Sequence, residues 1–300
     1  MDLLYGMQGK AVLPDIVTFN TLIASCGGEQ QWERALLLVS EAQRRGLVPD
    51  AISYNATLSA CERGQQANAA LALLDAMPRR RVALDVLSFS SAISACEKGE
   101  LWLEALQLLR RMSTESVQPN LLSYNSAACA SQRAQHWRHA LALLTEMDHI
   151  RLAPDNATFF VVLLSMATDE LLPKAMELYR AAVERGVLRP YRSSVLIDLH
   201  SFPVEVAKIA VRVAVLDAEK AGGEDLRAQQ PGMQRGQSIE GPQLVFITGR
   251  GKHSDGELLL RPAVLRVLRE EFGWEARIEL ANEGRVAMTG RRRKSLRTSE

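Results

Sequence analysis

The sequence predicts an α-solenoid of two-helix, 35-residue repeats followed by a small α/β domain, and three observations carry that prediction. The first is a period. Aligned on Pro14, the chain returns to a similar phrase at Pro49, Leu84, Pro119 and Pro154, always 35 residues on. A fixed period of this length marks stacked helical hairpins, none of which can bury its apolar face alone. The second is a set of core positions locked to that period: an aromatic at Phe19, Tyr54, Phe89, Tyr124 and Phe159, then Ala35, Ala70, Ala105, Ala140 and Ala175, each followed by a leucine. The third is a change of pattern after Pro190, where short β-branched runs begin to alternate with helical ones.

Each element follows from its residues. The first helix of a repeat starts after "PD" or "PN", because proline cannot continue the preceding helix and the acid or amide can accept hydrogen bonds from free N–H groups. The second helix places a small alanine beside a leucine three residues on (Leu38, Leu73, Leu108, Leu143 and Leu178), so backbones approach closely while leucine fills the groove. Trp32, Trp102 and Trp137 open three of these helices. Gly46 and the Gly186 of "VERGVLRP" stand where a left-handed stop is expected, whereas Arg81, Ser116 and Arg151 take that place in the middle repeats.

Composition narrows the function classes. Hydrophobic residues make up 47% and charged residues 24%, which is globular, and the net charge of +1 neither favours nor excludes a polyanionic partner. No apolar run is long enough to cross a bilayer, so no membrane partner is expected. Cys26, Cys61 and Cys96 share a phase with Ser131, and no CxxC pair occurs, so the cysteines are expected to be small buried hydrophobes, with Cys129 on a helix face. His136 and His139 share a helix face without a third metal ligand.

With "(V/I)(T/S)(F/Y)N" opening the first helix and "PD" closing the unit, the array resembles the pentatricopeptide repeat family of organellar single-strand RNA-binding proteins from Ile16 to about Arg189. The tetratricopeptide signature W-x₂-L-G-x₂-Y is absent, which weakens the rival reading of a protein-binding scaffold. The resemblance implies that a polar residue in the first helix and the last residue of the same repeat read one base together. The implied pairs are Asn20 with Asp50, Asn55 with Asp85, Ser90 with Asn120 and Asn125 with Asp155, for the sequence U, U, A, U from 5′ to 3′. Val17, Ile52, Leu87 and Leu122 match the family's apolar wedge against the base. Helix capping alone does not explain Asn20, Asn55 and Asn125, which lie inside their helices. The fifth repeat departs, with Phe160 at the reading position and Pro190 at the closing one; it is expected to stack, to cap the array, or to read nothing.

Beyond the array the expected order is βαβαββ: a run at Ser193 to His200, a helix at Pro203 to Gly222, a strand in "QLVFITGRGKHS", a helix at about Leu259 to Phe272, and strands near Ala276 to Leu280 and Arg285 to Met288. "IDLH" (Ile197 to His200) and "TGRGKHS" (Thr248 to Ser254) together resemble the small MutS-related (Smr) domain, which is associated with endonuclease activity on RNA or DNA. Alternation along a strand puts Asp198 and His200 on one face, with Ile197 and Leu199 toward the core. Gly249 and Gly251 would let backbone approach a phosphate, and Arg250 and Lys252 would supply positive charge to its transition state. His200 or His253 could move a proton, and Asp198 could orient a histidine or hold a divalent ion such as Mg²⁺. A Walker loop is excluded, because it would need glycine at Phe246 and Ser or Thr at His253.

The expected division is therefore residues 1–15 as the tail of an incomplete repeat, 16–190 as the array of about five repeats, 191–290 as the Smr domain with a mobile loop at 222–242, and 291–300 as a basic tail. Further repeats are expected upstream. The resemblance implies RNA processing in a chloroplast or mitochondrion, the chloroplast being favoured. Three functions remain open at this point: an RNA endonuclease guided by its array, a non-catalytic RNA-binding or stabilising factor, and a protein-binding scaffold.

Overall fold

The computed structural model describes residues 13–26, 31–229, 244–249, 259–279 and 282–292. By its internal packing the chain forms two compact units, one ending at Pro154 and the other starting at Asp155. The expected start at Met1 to Val12, the loop beyond Gln229, and Arg250, Gly251, Lys252 and His253 lie outside the described residues.

Among the described residues, the first unit holds four helical hairpins: α1 (Ile16–Ser25) with α2 (Trp32–Arg44), α3 (Ala51–Arg63) with α4 (Ala67–Arg79), α5 (Val86–Lys98) with α6 (Trp102–Thr114), and α7 (Leu121–Arg133) with α8 (Trp137–His149). Every first helix has its expected cap. Asp15, Asp50, Asp85 and Asn120 accept from the backbone N–H three residues on, at 2.8, 3.0, 2.8 and 2.9 Å. Each cap contributes about 1 kcal/mol. Behind the caps, Phe19, Tyr54, Phe89 and Tyr124 are buried with the four phased alanines. Cys26, Cys61 and Cys96 join them, and burial pushes the last two thiols up to about 11 and about 12, out of reach of thiolate chemistry. First helices pack on one another from repeat to repeat, while second helices pack chiefly on first helices. The row of first helices is therefore the inner side of this unit.

The second helices stop as expected. Gly46, Arg81, Ser116 and Arg151 all have positive φ, at 76°, 59°, 58° and 59°. Three of these positions thus hold a side chain in a conformation that favours glycine.

The second unit begins with a fifth hairpin, α9 (Asn156–Ser165) and α10 (Leu172–Glu184), capped by Asp155 through the Thr158 N–H at 2.9 Å. β1 (Leu196–Asp198), α11 (Val204–Gln229), β2 (Val245–Ile247), α12 (Leu260–Arg266), β3 (Trp274–Glu279) and β4 (Asn282–Arg292) follow, in the predicted order βαβαββ. The sheet runs β1-β2-β4-β3, with β1 parallel to β2 and the other pairs antiparallel. Among the boundaries that differ from expectation, three matter most. α11 continues through Gly222, where a loop was expected, to Gln229, because "EDLRAQ" contains good helix formers that offset roughly 1 kcal/mol for each of two glycines. β4 reaches Arg292, so the first basic residues of the expected tail belong to a strand. The fifth repeat, placed with the array by its sequence, packs with the C-terminal elements: α10 lies on α11, and Arg180 Nη2 meets Asp217 at 2.8 Å.

Candidate nucleic-acid interface

Along the inner row, the residues two places after each cap are apolar yet open: Val17, Ile52, Leu87 and Leu122 are 64%, 64%, 53% and 55% exposed. They contribute nothing to the core. Three residues further on, three of the expected reading residues are held to the closing residue of their own repeat. Asn20 Nδ2 donates to Asp50 at 3.3 Å, Asn55 Nδ2 donates to both Asp85 oxygens at 3.2 and 3.0 Å, and Ser90 Oγ donates to Asn120 Oδ1 at 3.4 Å. Thirty residues apart in sequence, the members of each pair meet because the closing residue caps the next first helix, which lies against the helix carrying its partner.

The pairs are not equally open. Asn20 and Asn125 are half-buried, but Asn55 is 6% exposed and Ser90 is 1% exposed, while Asp50, Asp85 and Asn120 face solvent. Ser90 is also closed over by Ser123, with 3.0 Å between hydroxyls. Asn55 Oδ1 is buried and has no hydrogen-bond partner among the described residues. Burial pushes the Asp50 carboxyl up, but the Ser53 backbone and hydroxyl and the Asn20 amide outweigh it and hold it below its ordinary range. Asp50 is thus an anion that serves as cap and as partner at once.

Sequence reasoning passed over the last turn of these helices. Lys98 Nζ reaches Glu62 at 3.0 Å and Arg133 Nη2 reaches Glu97 at 3.4 Å, each bridging to the repeat before. The signal was available: Arg63, Lys98 and Arg133 recur every 35 residues, as do Glu62 and Glu97. His136 and His139 pack on Trp102, with ring centroids at 4.1 and 5.3 Å, and no group of three metal-ligating side chains occurs among the described residues.

The second unit holds the other expected cluster. Asp198 and His200 do come together at the carboxyl end of β1, with Ile197 and Leu199 buried on the opposite side. Asp198 Oδ1 lies 2.5 Å from His200 Nδ1, and because a carboxylate only accepts, Nδ1 is the ring nitrogen that donates. The Asp198 side chain is 10% exposed and that of His200 55%. A residue missed by the sequence reading completes the cluster: Arg192 donates from Nε and Nη2 to Asp198 Oδ2 at 3.1 and 2.9 Å. It arrives there because the chain doubles back between Pro190 and Asp198, whose N–H donates to the Pro190 carbonyl at 2.6 Å. Burial raises the Asp198 carboxyl, and the hydrogen bonds from His200 and Arg192 more than reverse this, holding it below its ordinary range. Gly249, at φ 76°, faces His200: a Cβ there would stand 3.5 Å from the His200 Cβ. The two motifs therefore meet.

Two family models match the chain: the PPR repeat family over residues 14–63, and the pentacotripeptide-repeat region of PRORP over residues 43–187. Similar solved structures include PPR10 from maize (20% identity, TM-score 0.54, 90% of this chain and 36% of that one). The PPR domain of Arabidopsis thaliana protein-only RNase P 1, solved in complex with tRNA, matches at 17% identity and TM-score 0.50, over 58% of this chain and 89% of that one. PPR10 in complex with an 18-nt psaJ RNA element matches at 19% identity and TM-score 0.51, over 75% of this chain and 32% of that one. This chain thus spans about a third of the length of PPR10. Comparison with curated proteins gives no match. Repeat-family models match within residues 14–187, where a stack of phased hairpins accounts for the match, so this part of the chain is a pentatricopeptide repeat array.

Proposed function

We propose that this protein binds single-stranded RNA along its first helices, one repeat to one base, and that its C-terminal elements form an Smr-type domain that cleaves the bound strand. The observation that carries the binding is the regular row of exposed apolar residues beside fixed Asn–Asp and Ser–Asn pairs. An apolar side chain held in solvent at each of four successive repeats suits a flat partner, and a nucleobase is flat, apolar on its faces and polar at its edge. An aspartate at the closing position offers acceptors to the imino N–H of uracil. Asn120, whose Oδ1 is already engaged by Ser123, keeps an amide donor for adenine N1. Reading U, U, A, U is consistent with that polarity. Neighbours solved with RNA, PPR10 and the protein-only RNase P 1 domain, support the same ligand class.

For cleavage, Asp198 fixes His200 so that Nε2 can accept a proton from the attacking hydroxyl or return one to the leaving oxygen at the phosphodiester. Arg192 holds Asp198 from the other side and keeps a positive charge at the site. Arg250, Lys252 and His253 would add charge and a second proton carrier. Mg²⁺ does not fit the described donors: the one carboxylate is engaged on both oxygens, by a guanidinium and an imidazole. RNA processing in an organelle, the chloroplast first, is the corresponding setting.

The test uses labelled single-stranded RNAs with and without a UUAU element, and the matching DNA. Preference for UUAU RNA of about tenfold or more, lost in Asn55→Ala, supports array reading; equal binding to all sequences refutes it. Cleavage lost in His200→Ala and Asp198→Ala with binding intact supports the nuclease. Binding without cleavage by the parent protein leaves a non-catalytic RNA-binding factor, and no binding leaves a scaffold.

A further inference from the structure

In the fifth repeat both reading positions have lost their polar edge. Phe160 stands where the other repeats carry Asn or Ser, and Pro190 closes the repeat with its carbonyl already bonded to the Asp198 N–H. This repeat cannot read a base by hydrogen bonding. It nonetheless shows a second aromatic feature. The Phe160 ring meets Phe202 at 5.0 Å between centroids and 59° between planes, and Phe202 projects from the turn that carries His200, its N–H donating to the Leu199 carbonyl. Both rings are half-buried, whereas the phenylalanines that build the core here, Phe159 and Phe246, are wholly buried. The apolar wedge is also missing: Ala157, small and exposed, replaces the Val, Ile or Leu of the earlier repeats.

We propose that Phe160 and Phe202 form a stacking site for one unpaired nucleobase, the nucleotide immediately 3′ of the four read by hydrogen bonds. The inference rests on the RNA-binding reading above. A π-face accepts any base, so the site fixes the strand beside His200 without asking for sequence, and the reading register ends there. Ala157 leaves the room that a wedge would fill. Chemically, the site adds a sequence-neutral base contact two residues from His200.

The full chain is titrated into a single-stranded RNA carrying UUAU followed directly by 2-aminopurine, read by fluorescence and by affinity. Quenching of the 2-aminopurine is expected on binding by the parent protein. Phe160→Leu and Phe202→Leu, which keep apolar bulk, should lose the quenching and bind roughly tenfold more weakly, within the range of a single base–aromatic stack. Phe160→Trp should retain it. Moving 2-aminopurine three nucleotides further 3′ should abolish the signal. RNA that binds through UUAU with the adjacent base unquenched, or quenched equally in both leucine variants, overturns this site and leaves array reading standing. RNA that does not bind at all overturns both.

Discussion

The second and fifth repeats are the same hairpin put to different uses. Both open with an aspartate cap, bury an aromatic four residues on (Tyr54, Phe159), and bury an alanine in the second helix (Ala70, Ala175). They differ at the positions that do not build the hairpin. The second repeat exposes Ile52 and locks Asn55 to Asp85; the fifth exposes Ala157 and turns Phe160 onto Phe202. The scaffold positions fix the architecture and the remaining inner positions fix the chemistry, so a repeat can change what it contacts without changing how it folds.

That comparison can be broken at several levels. The largest effect is expected in the shared core: Tyr54→Ala and Phe159→Ala should each cost about 3–5 kcal/mol in denaturant unfolding, as buried aromatics do. A loss under about 1 kcal/mol at either position would show that the two hairpins are not equivalent. At the position where the repeats diverge, Asn55→Ala should weaken UUAU RNA by about 1–3 kcal/mol and relax the preference at the second base alone. Phe160→Ala should weaken RNA with every base at its position alike. Competition binding with single-base variants separates these outcomes.

Smaller effects test the stops and caps. The second helix of the second repeat stops at Arg81, at φ 59°, and that of the fifth at Gly186, at φ 70°. Arg81→Gly should therefore raise stability by about 0.5–1 kcal/mol while Gly186→Ala lowers it by a similar amount, both read from urea midpoints. The weakest effect is a pH dependence. The Asp50 carboxyl is held below its unfolded value, near 3.9, so the stability it supplies is complete above that pH and fades as pH falls through the folded value. Asp50→Asn copies the cap that Asn120 provides and does not titrate. The stability difference between parent and variant should shrink below about pH 4, and a constant difference down to pH 2 would contradict the assigned cause.

Much of the array was legible because its causes are local. A cap needs only the residue three places on, and a phased aromatic needs only its own helix and the next, so period and residue type locate both. The openness of the reading residues was not legible. Asn55 and Ser90 look like their neighbours in sequence, yet each is closed over by the capping turn of the following repeat, Ser90 by Ser123 at 3.0 Å. Arg192 carried no signal, since nothing in "RPYRSS" says that the chain doubles back onto Asp198. Glycines at 222 and 223 suggested a loop, but the helix formers after them prevailed in α11.

By itself the sequence determined the repeat, its core, its caps and the order βαβαββ, all of which follow from spacing along one chain. Only the tertiary structure decided which polar groups are spent on each other, that Arg192 shares Asp198 with His200, and that Phe160 finds Phe202. These depend on which distant segments approach within a few ångströms, and periodicity is blind to that distance.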